Sequence, residues 1–340
     1  MWKQSYEQLI FLQDSSVGLK AIIAIHSTKL GPALGGCRMR QYGSDEEAID
    51  DALRLAKGMT YKSAMSGIPY GGGKAVILSH PGQGPREALF QALGRQLQKM
   101  QGGYITGMDL GTSVTDMDWI RLQTPYVTDT SGSLGAVNDL TATMTAYGVF
   151  LGILTALKRV FGSGSAERRT VAVQGLGKVG YQLCRYLYYA GAKLIVADVD
   201  PVRVQKVVSE FGAIPKHPDA IMSEPCDVLS PCALGGILND RSISGLHCRI
   251  VAGAANNQLT ESRHGALLHD RGILYAPDYV INSGGIIVTA AELNGGDAAT
   301  AQQNVEKISG TLTDVFQTAD ARGLPTADAA DLMAEGLLGI

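Results

Sequence analysis

Apolar residues in this chain recur in two rhythms. Short and mostly apolar runs, such as Leu19-Lys20-Ala21-Ile22-Ile23-Ala24-Ile25 and Ala75-Val76-Ile77-Leu78, read as strands. Between them apolar positions fall at helical spacing. Ser44 with Glu47 forms a capping box, after which Ile49, Ala52, Leu53 and Ala56 mark one helix face. That helix is predicted to run to Lys62 and to stop before Gly67 and Pro69. A second helix is expected from Pro85 to Met100 and a long buried one from Thr141 to Lys158. Ser131 to Gly135 reads as a loop, with a hinge near Asn138. Short strands at Val228-Leu229-Ser230 and Arg249-Ile250-Val251-Ala252 each precede a glycine-rich turn, and the tail from about residue 300 is helical. The order of elements predicts an α/β fold: an N-terminal α/β domain over 1–139 and a doubly wound domain over 140–311, with a cleft between them. The helices from about 312 to 340 are expected to pack back on the first domain.

The second domain opens on Val171-Ala172-Val173-Gln174-Gly175-Leu176-Gly177-Lys178-Val179-Gly180, an apolar run leading into G-x-G-x-x-G. A helix-like stretch follows, then Leu194-Ile195-Val196-Ala197 ending at Asp198. Strand, glycines, helix, second strand and acid together form the fingerprint of a Rossmann-type dinucleotide site. Gly175 permits the tight turn, Gly177 a close approach to a pyrophosphate, and Gly180 close helix–strand packing. The helix N-terminus offers free N–H groups to the phosphates. Asp198 is placed to accept from both ribose hydroxyls and to repel a 2′-phosphate, favouring NAD over NADP; Arg203 is the residue that opposes this reading.

Composition narrows the remaining classes. The chain has 340 residues, 45% hydrophobic and 18% charged, enough for two cores. A net charge of −3 argues against nucleic-acid or acidic-membrane partners. No apolar signal core stands at the N-terminus and no uninterrupted apolar run is expected to span a bilayer, so a cytoplasmic protein is expected. Five scattered cysteines without C-x-x-C, and six histidines without ligand spacing, predict neither disulfide nor metal site. No serine sits in G-x-S-x-G. Gly71-Gly72-Gly73-Lys74 is not a P-loop: Ile68 stands where the first glycine is required, and Ala75 follows the lysine. Three glycines there imply a backbone that comes close to something, with Lys74 at the mouth of a buried strand. A desolvated lysine, or one beside a second cation such as Lys62, can serve as a base near neutrality. Asp109, in Gly107-Met108-Asp109, is the third candidate.

These blocks give the chain a resemblance to the glutamate/leucine/phenylalanine/valine dehydrogenase family. It runs through Leu30-Gly31-Pro32-Ala33-Leu34-Gly35-Gly36-Cys37-Arg38-Met39, Lys57-Gly58-Met59-Thr60-Tyr61-Lys62 and Gly71-Gly72-Gly73-Lys74. It continues through the GLGKVG turn, Pro231-Cys232-Ala233-Leu234-Gly235-Gly236, Gly253-Ala254-Ala255-Asn256-Asn257-Gln258 and Asn282-Ser283-Gly284-Gly285. The resemblance implies NAD-dependent, reversible deamination of an L-amino acid to a 2-oxo acid and ammonia. By it, Lys74 activates water and Asp109 shuttles protons. Lys62 holds the substrate carboxylate, with Leu34, Gly35, Gly36, Asn257 and Ser283 also lining the substrate. Cofactor contacts are implied for Gly175, Leu176, Gly177, Lys178, Val179, Gly180, Asp198 and Val199. Thr145 is implied at the nicotinamide amide, with Cys232, Ala233, Ala254, Ala255 and Asn256 nearby.

Leucine-type relatives usually read Ala-Glu-Asp where this chain has Gly107-Met108-Asp109, so Gly107 is expected to widen the side-chain pocket. That favours a bulky hydrophobic substrate, phenylalanine first, with leucine, valine and tryptophan as alternatives. A homo-oligomer, dimer or octamer, is implied. The rival of another class is a non-catalytic NAD-binding sensor, whose mark would be loss of Lys62, Lys74 or Asp109.

Overall fold

The first half of the chain builds a five-stranded sheet. In the computed structural model, which describes Tyr6–Ile340, its elements are β1 (Gln8–Asp14), β2 (Leu19–Ser27), β3 (Ala33–Arg40), α1 (Asp45–Met65), β4 (Gly71–Leu78), α2 (Arg86–Lys99), β5 (Tyr104–Met108) and α3 (Val114–Arg121). The strand order is β1-β2-β4-β3-β5. β3, β4 and β5 run parallel, and β1 and β2 close the far edge antiparallel. Alternate residues of β2 serve two cores. Ile23 and Ile25 join Phe90, Leu93, Leu97, Tyr104 and Ile120, while Ile22 and Ala24 meet Ala48, Ala52 and Ala56 of α1.

The alanine face brings α1 unusually near the sheet, and the glycines complete the approach. A Cβ on Gly72 would overlap the Thr60 backbone, and one on Gly71 the Ser27 carbonyl. The triple glycine is therefore strand, not turn, and Lys74 lies inside β4 rather than at its mouth. Ser44 caps α1 by accepting from Glu47 N at 3.2 Å. The carboxylate of Glu47 turns instead to Gly43 N and Arg40, so the reciprocal half of the box is absent there. A full box forms at Ser113 and Asp116.

The second unit begins at Asp139. Its elements are α4 (Leu140–Phe161), β6 (Thr170–Gln174), α5 (Lys178–Tyr189), β7 (Lys193–Ala197), α6 (Pro201–Phe211), β8 (Ile214–Pro215), β9 (Val228–Pro231), α7 (Asp240–Ser244), β10 (Ile250–Val251), α8 (Arg263–Asp270), β11 (Leu274–Tyr275) and α9 (Asp278–Ile281). Four further helices follow: α10 (Gly284–Leu293), α11 (Ala298–Glu306), α12 (Ile308–Arg322) and α13 (Thr326–Leu338). The sheet order β11-β10-β9-β6-β7-β8, parallel throughout, is the dinucleotide-binding order with its switch point between β6 and β9.

The helices expected to pack back on the first domain group for the most part with the second unit: α12 packs on α4 and α9, and residues 296–336 belong to that unit. Only Glu292–Gly295 and Leu337–Ile340 join the chain up to Asn138. α4, taken with the turn before it, does have the length and apolarity to cross a bilayer, but α5, α11 and α12 pack against it.

Candidate active site

The parallel strands of the first unit gather a charged cluster around Gly36. A Cβ at Gly36 would stand 2.9 Å from Asp109 Cβ and 3.2 Å from Lys74 Nζ, so only glycine leaves the cluster room. Lys74 is 5% exposed, and its Nζ lies 2.9 Å from Asp109 Oδ2. Arg38 Nε donates to the same oxygen at 2.8 Å. The other arm of Arg38 reaches Asp51 at 3.1 Å, and Asp51 also accepts from Tyr42 Oη at 2.9 Å and Arg54 at 2.6 Å. Burial by itself would raise the Asp109 carboxyl, but the charges and hydrogen bonds of Lys74 and Arg38 outweigh it and hold the group down to about 2. Asp109 is thus an anion shared by two cations. Beneath it, burial pushes the Cys37 thiol up to about 12, leaving it inert. Tyr104 Oη ties the floor together by donating to Gly35 O at 2.9 Å and accepting from Ala75 N at 3.0 Å.

Leu34, Gly35 and Gly36 are buried on β3, and Lys62 is half-buried in the last turn of α1. Gly107 differs from its expected role. Its φ is not positive, and the space beside it is not open: a Cβ there would lie 2.5 Å from Asp129 Oδ2 and 2.6 Å from Thr128 Oγ1. Asp129, itself left-handed at φ 58, accepts from Met108 N at 2.8 Å.

In the second unit the glycine turn has a different geometry. Gly175 has φ +94 and abuts Ala233, Gly180 packs against the Gly175 carbonyl, and nothing stands within 4 Å of a Cβ placed on Gly177. Asp198 braces this turn, accepting from Leu176 N at 2.6 Å and Asp200 N at 2.9 Å. Arg203 sits 3.2 Å from Asp200 and 4.0 Å from Asp198. Lys178 pairs with Asp139, and with Leu176, Gly177, Tyr181 and Lys206 they line a pocket. Val179 follows Lys178 in the first turn of α5, and Val199 is 87% exposed beside Asp198.

At the ends of β6 and β9, Cys232 N donates to Gln174 O and Ala255 N to Pro231 O. Asn282 Nδ2 joins Ala254 O at 3.0 Å to Asn256 Oδ1 at 2.8 Å. Asn257 is left-handed at φ 51. Ser283 is buried and donates to Val280 O, and Thr145 donates to Thr141 O beside Gly285. Arg38, Asp51 and Asp129 were not among the expected site residues. Arg38 lies in the Leu30–Met39 stretch that resembles the family, but no spacing rule joins it to residues 51 or 109.

Two family descriptions match the chain: "Glu/Leu/Phe/Val dehydrogenase, dimerisation domain" over residues 7–126 and "Glutamate/Leucine/Phenylalanine/Valine dehydrogenase" over 196–333. The leucine dehydrogenase of Thermoactinomyces intermedius is 52% identical over 98% of this chain and 91% of its own length. The phenylalanine dehydrogenase of Caldalkalibacillus thermarum is 42% identical over 97% and 90%. The solved L-tryptophan dehydrogenase of Nostoc punctiforme superposes with a TM-score of 0.86 at 43% identity, covering 98% of this chain and 96% of that one.

Proposed function

This chain belongs to the glutamate/leucine/phenylalanine/valine dehydrogenase family and is an amino acid dehydrogenase, an oxidoreductase acting on a CH–NH2 group; we propose that NAD is its hydride acceptor and that the residues around Gly36 carry its chemistry. The second unit suits a dinucleotide. Gly175 turns, Gly177 leaves its Cβ position open at the N-terminus of α5, and Asp198 puts a carboxylate at the end of β7. Arg203 is drawn to Asp200 and Asp198 rather than standing clear as a 2′-phosphate partner, which favours NAD. NAD, when bound, accepts the hydride from the substrate Cα.

The residues of the first unit supply the rest. Lys62 offers a fixed cation to the substrate carboxylate. Asp109, anionic and aimed by Arg38, takes a proton from the substrate ammonium, so that the free amine can lose hydride and become an iminium. Lys74 removes a proton from the water that attacks the iminium carbon. The resulting carbinolamine gives its hydroxyl proton to a base and expels ammonia once Asp109 has returned a proton to nitrogen, leaving the 2-oxo acid. Cationic Lys74 and Arg38 stabilise the oxygen charge that develops during this collapse.

The observation that carries this reading is the pairing of buried Lys74 with half-buried Asp109 beside Gly36. The relatives named above act, by their names, on leucine, phenylalanine and tryptophan, and an apolar side-chain body is the class carried over to this chain. A homo-oligomer is part of this reading, supported by the "dimerisation domain" description over residues 7–126, and is checked by light scattering. The enzymatic test is NADH formation across a panel of L-amino acids at alkaline pH. NADH binding with no turnover of any amino acid would instead identify a sensor.

A further inference from the structure

The face that carries Lys74 and Asp109 also presents a second carboxylate. β3 pairs with β5 so that Gly36 faces Gly107. Residues paired across parallel strands share a face, so Gly107 lies on the side where Gly36 meets Lys74, and Asp109, just past the end of β5, stands beside Gly36 on that side. Any side chain at 107 would occupy the space that Asp129 Oδ2 fills, 2.5 Å from the Cβ position. A carboxylate delivered from the loop after α3 therefore stands where a side chain on β5 would stand. Asp129 holds a left-handed φ of 58 to do so.

Among the described residues this carboxylate enters no ion pair, and its partners are the Met108 amide and the Thr128 hydroxyl. A carboxylate offers about four lone-pair sites, so capacity remains. A neighbouring charge is also acidic: Glu292, whose carboxyl Asp129 helps to raise, accepts from Leu134 N and feels Arg121. Burial raises the Asp129 carboxyl above its ordinary range, the mark of a group short of donors.

The sheet order gives the direction. α1, which bears Lys62, packs on β2 and β4, whereas β5 is the opposite edge. A substrate whose carboxylate reaches toward Lys62 and whose Cα lies over Lys74 and Asp109 extends its side chain toward β5. We propose that Asp129 is a specificity-determining residue that favours an apolar side chain bearing an N–H donor, as an indole does, over a purely hydrocarbon one. Hydrocarbon packed there leaves a carboxylate desolvated and unpaired, whereas an N–H satisfies it.

The inference rests on the deaminase reading above, and one experiment separates the two. NADH formation is measured with L-tryptophan, L-phenylalanine and L-leucine on the wild type, Asp129→Asn and Asp129→Gly. Asparagine keeps an oxygen for the Met108 amide but turns NH2 to the site; glycine suits the left-handed backbone natively. The wild type is expected to favour tryptophan over phenylalanine in kcat/KM by about tenfold or more, and both variants to lose at least about tenfold of that ratio as the hydrocarbon substrates gain. Ratios unchanged in both variants would reduce Asp129 to a loop tie and overturn the proposal. So would a wild type that prefers leucine or phenylalanine. No NADH from any amino acid would overturn the deaminase reading, and this inference with it.

Discussion

Glycine does opposite work in the two units. Around Lys74 the glycines are extended strand residues whose missing side chains let backbone, helix and charged groups crowd together. Gly72 admits α1 and Gly36 admits the Lys74–Asp109 pair. In the turn after β6, Gly175 is there for its conformation, at φ +94, and Gly177 for the open space before α5. The first arrangement is closed, with its charges satisfied by one another: Lys74 and Arg38 on Asp109, Arg38 and Arg54 on Asp51. The second is open, with helix N–H groups and exposed Val199 facing outward. A reaction centre needs groups preorganised against each other, whereas a phosphate site needs backbone left unhindered.

The strongest way to break this division is to remove chemistry from one unit and look for damage in the other. Lys74→Ala and Asp109→Asn are each expected to lower turnover by about a hundredfold or more while NADH titration by fluorescence is unchanged. Loss of NADH affinity would erase the distinction.

The glycine turn gives the complementary test. Gly177→Ala meets no protein atom within 4 Å, so its thermal midpoint should hold while NADH affinity falls about tenfold. Gly175→Ala, at φ +94 and 2.7 Å from Ala233 Cβ, should lower stability by about 1–3 kcal/mol as well. Equal behaviour of the two variants in calorimetry would refute the distinction drawn between them.

Arg38 sharpens the account of the closed site. Asp109 is depressed in the folded protein, so its contribution is present above its unfolded value and is lost as pH falls from about 4 toward about 2. That depression corresponds to on the order of 2 kcal/mol at neutral pH. Arg38→Gln removes one of its two cations, so the acid-unfolding midpoint should move to higher pH and kcat/KM should fall, while Arg38→Lys restores part of both. An unshifted acid midpoint would show that Lys74 alone sets Asp109.

The smallest effect concerns packing on β5. Gly107→Ala should cost a few-fold in activity on all substrates, because its methyl meets Asp129 and Thr128 before any ligand. Adding Asp129→Gly should recover that loss. A double variant no better than the single one would mean that the two residues do not share the space.

Much of this was written locally. The turn from β6 through Gly175, Gly177 and Gly180 to Asp198 is contiguous, and each signal lies within a helix turn or strand length of the next, so periodicity and glycine spacing sufficed to read it. The helices starting at Ser44 and Pro85 were legible for the same reason. Other features depended on distant partners. The glycines before Lys74 were visible, but whether they made a turn or a strand depended on α1 packing over them. The C-terminal helices carry apolar faces that suit either unit, and only their contacts with α4 and α9 decided the matter.

The sequence by itself determined the dinucleotide fold and the family resemblance, and it singled out Lys74 and Asp109 as candidates, because each of these signals is carried by residues close together along the chain. Tertiary structure alone decided that Arg38 reaches both Asp51 and Asp109, and that Asp129 takes the space Gly107 leaves. Those pairings cross parallel strands and a returning loop. Their geometry is fixed by sheet register and helix packing, and no local spacing of residue types encodes either one.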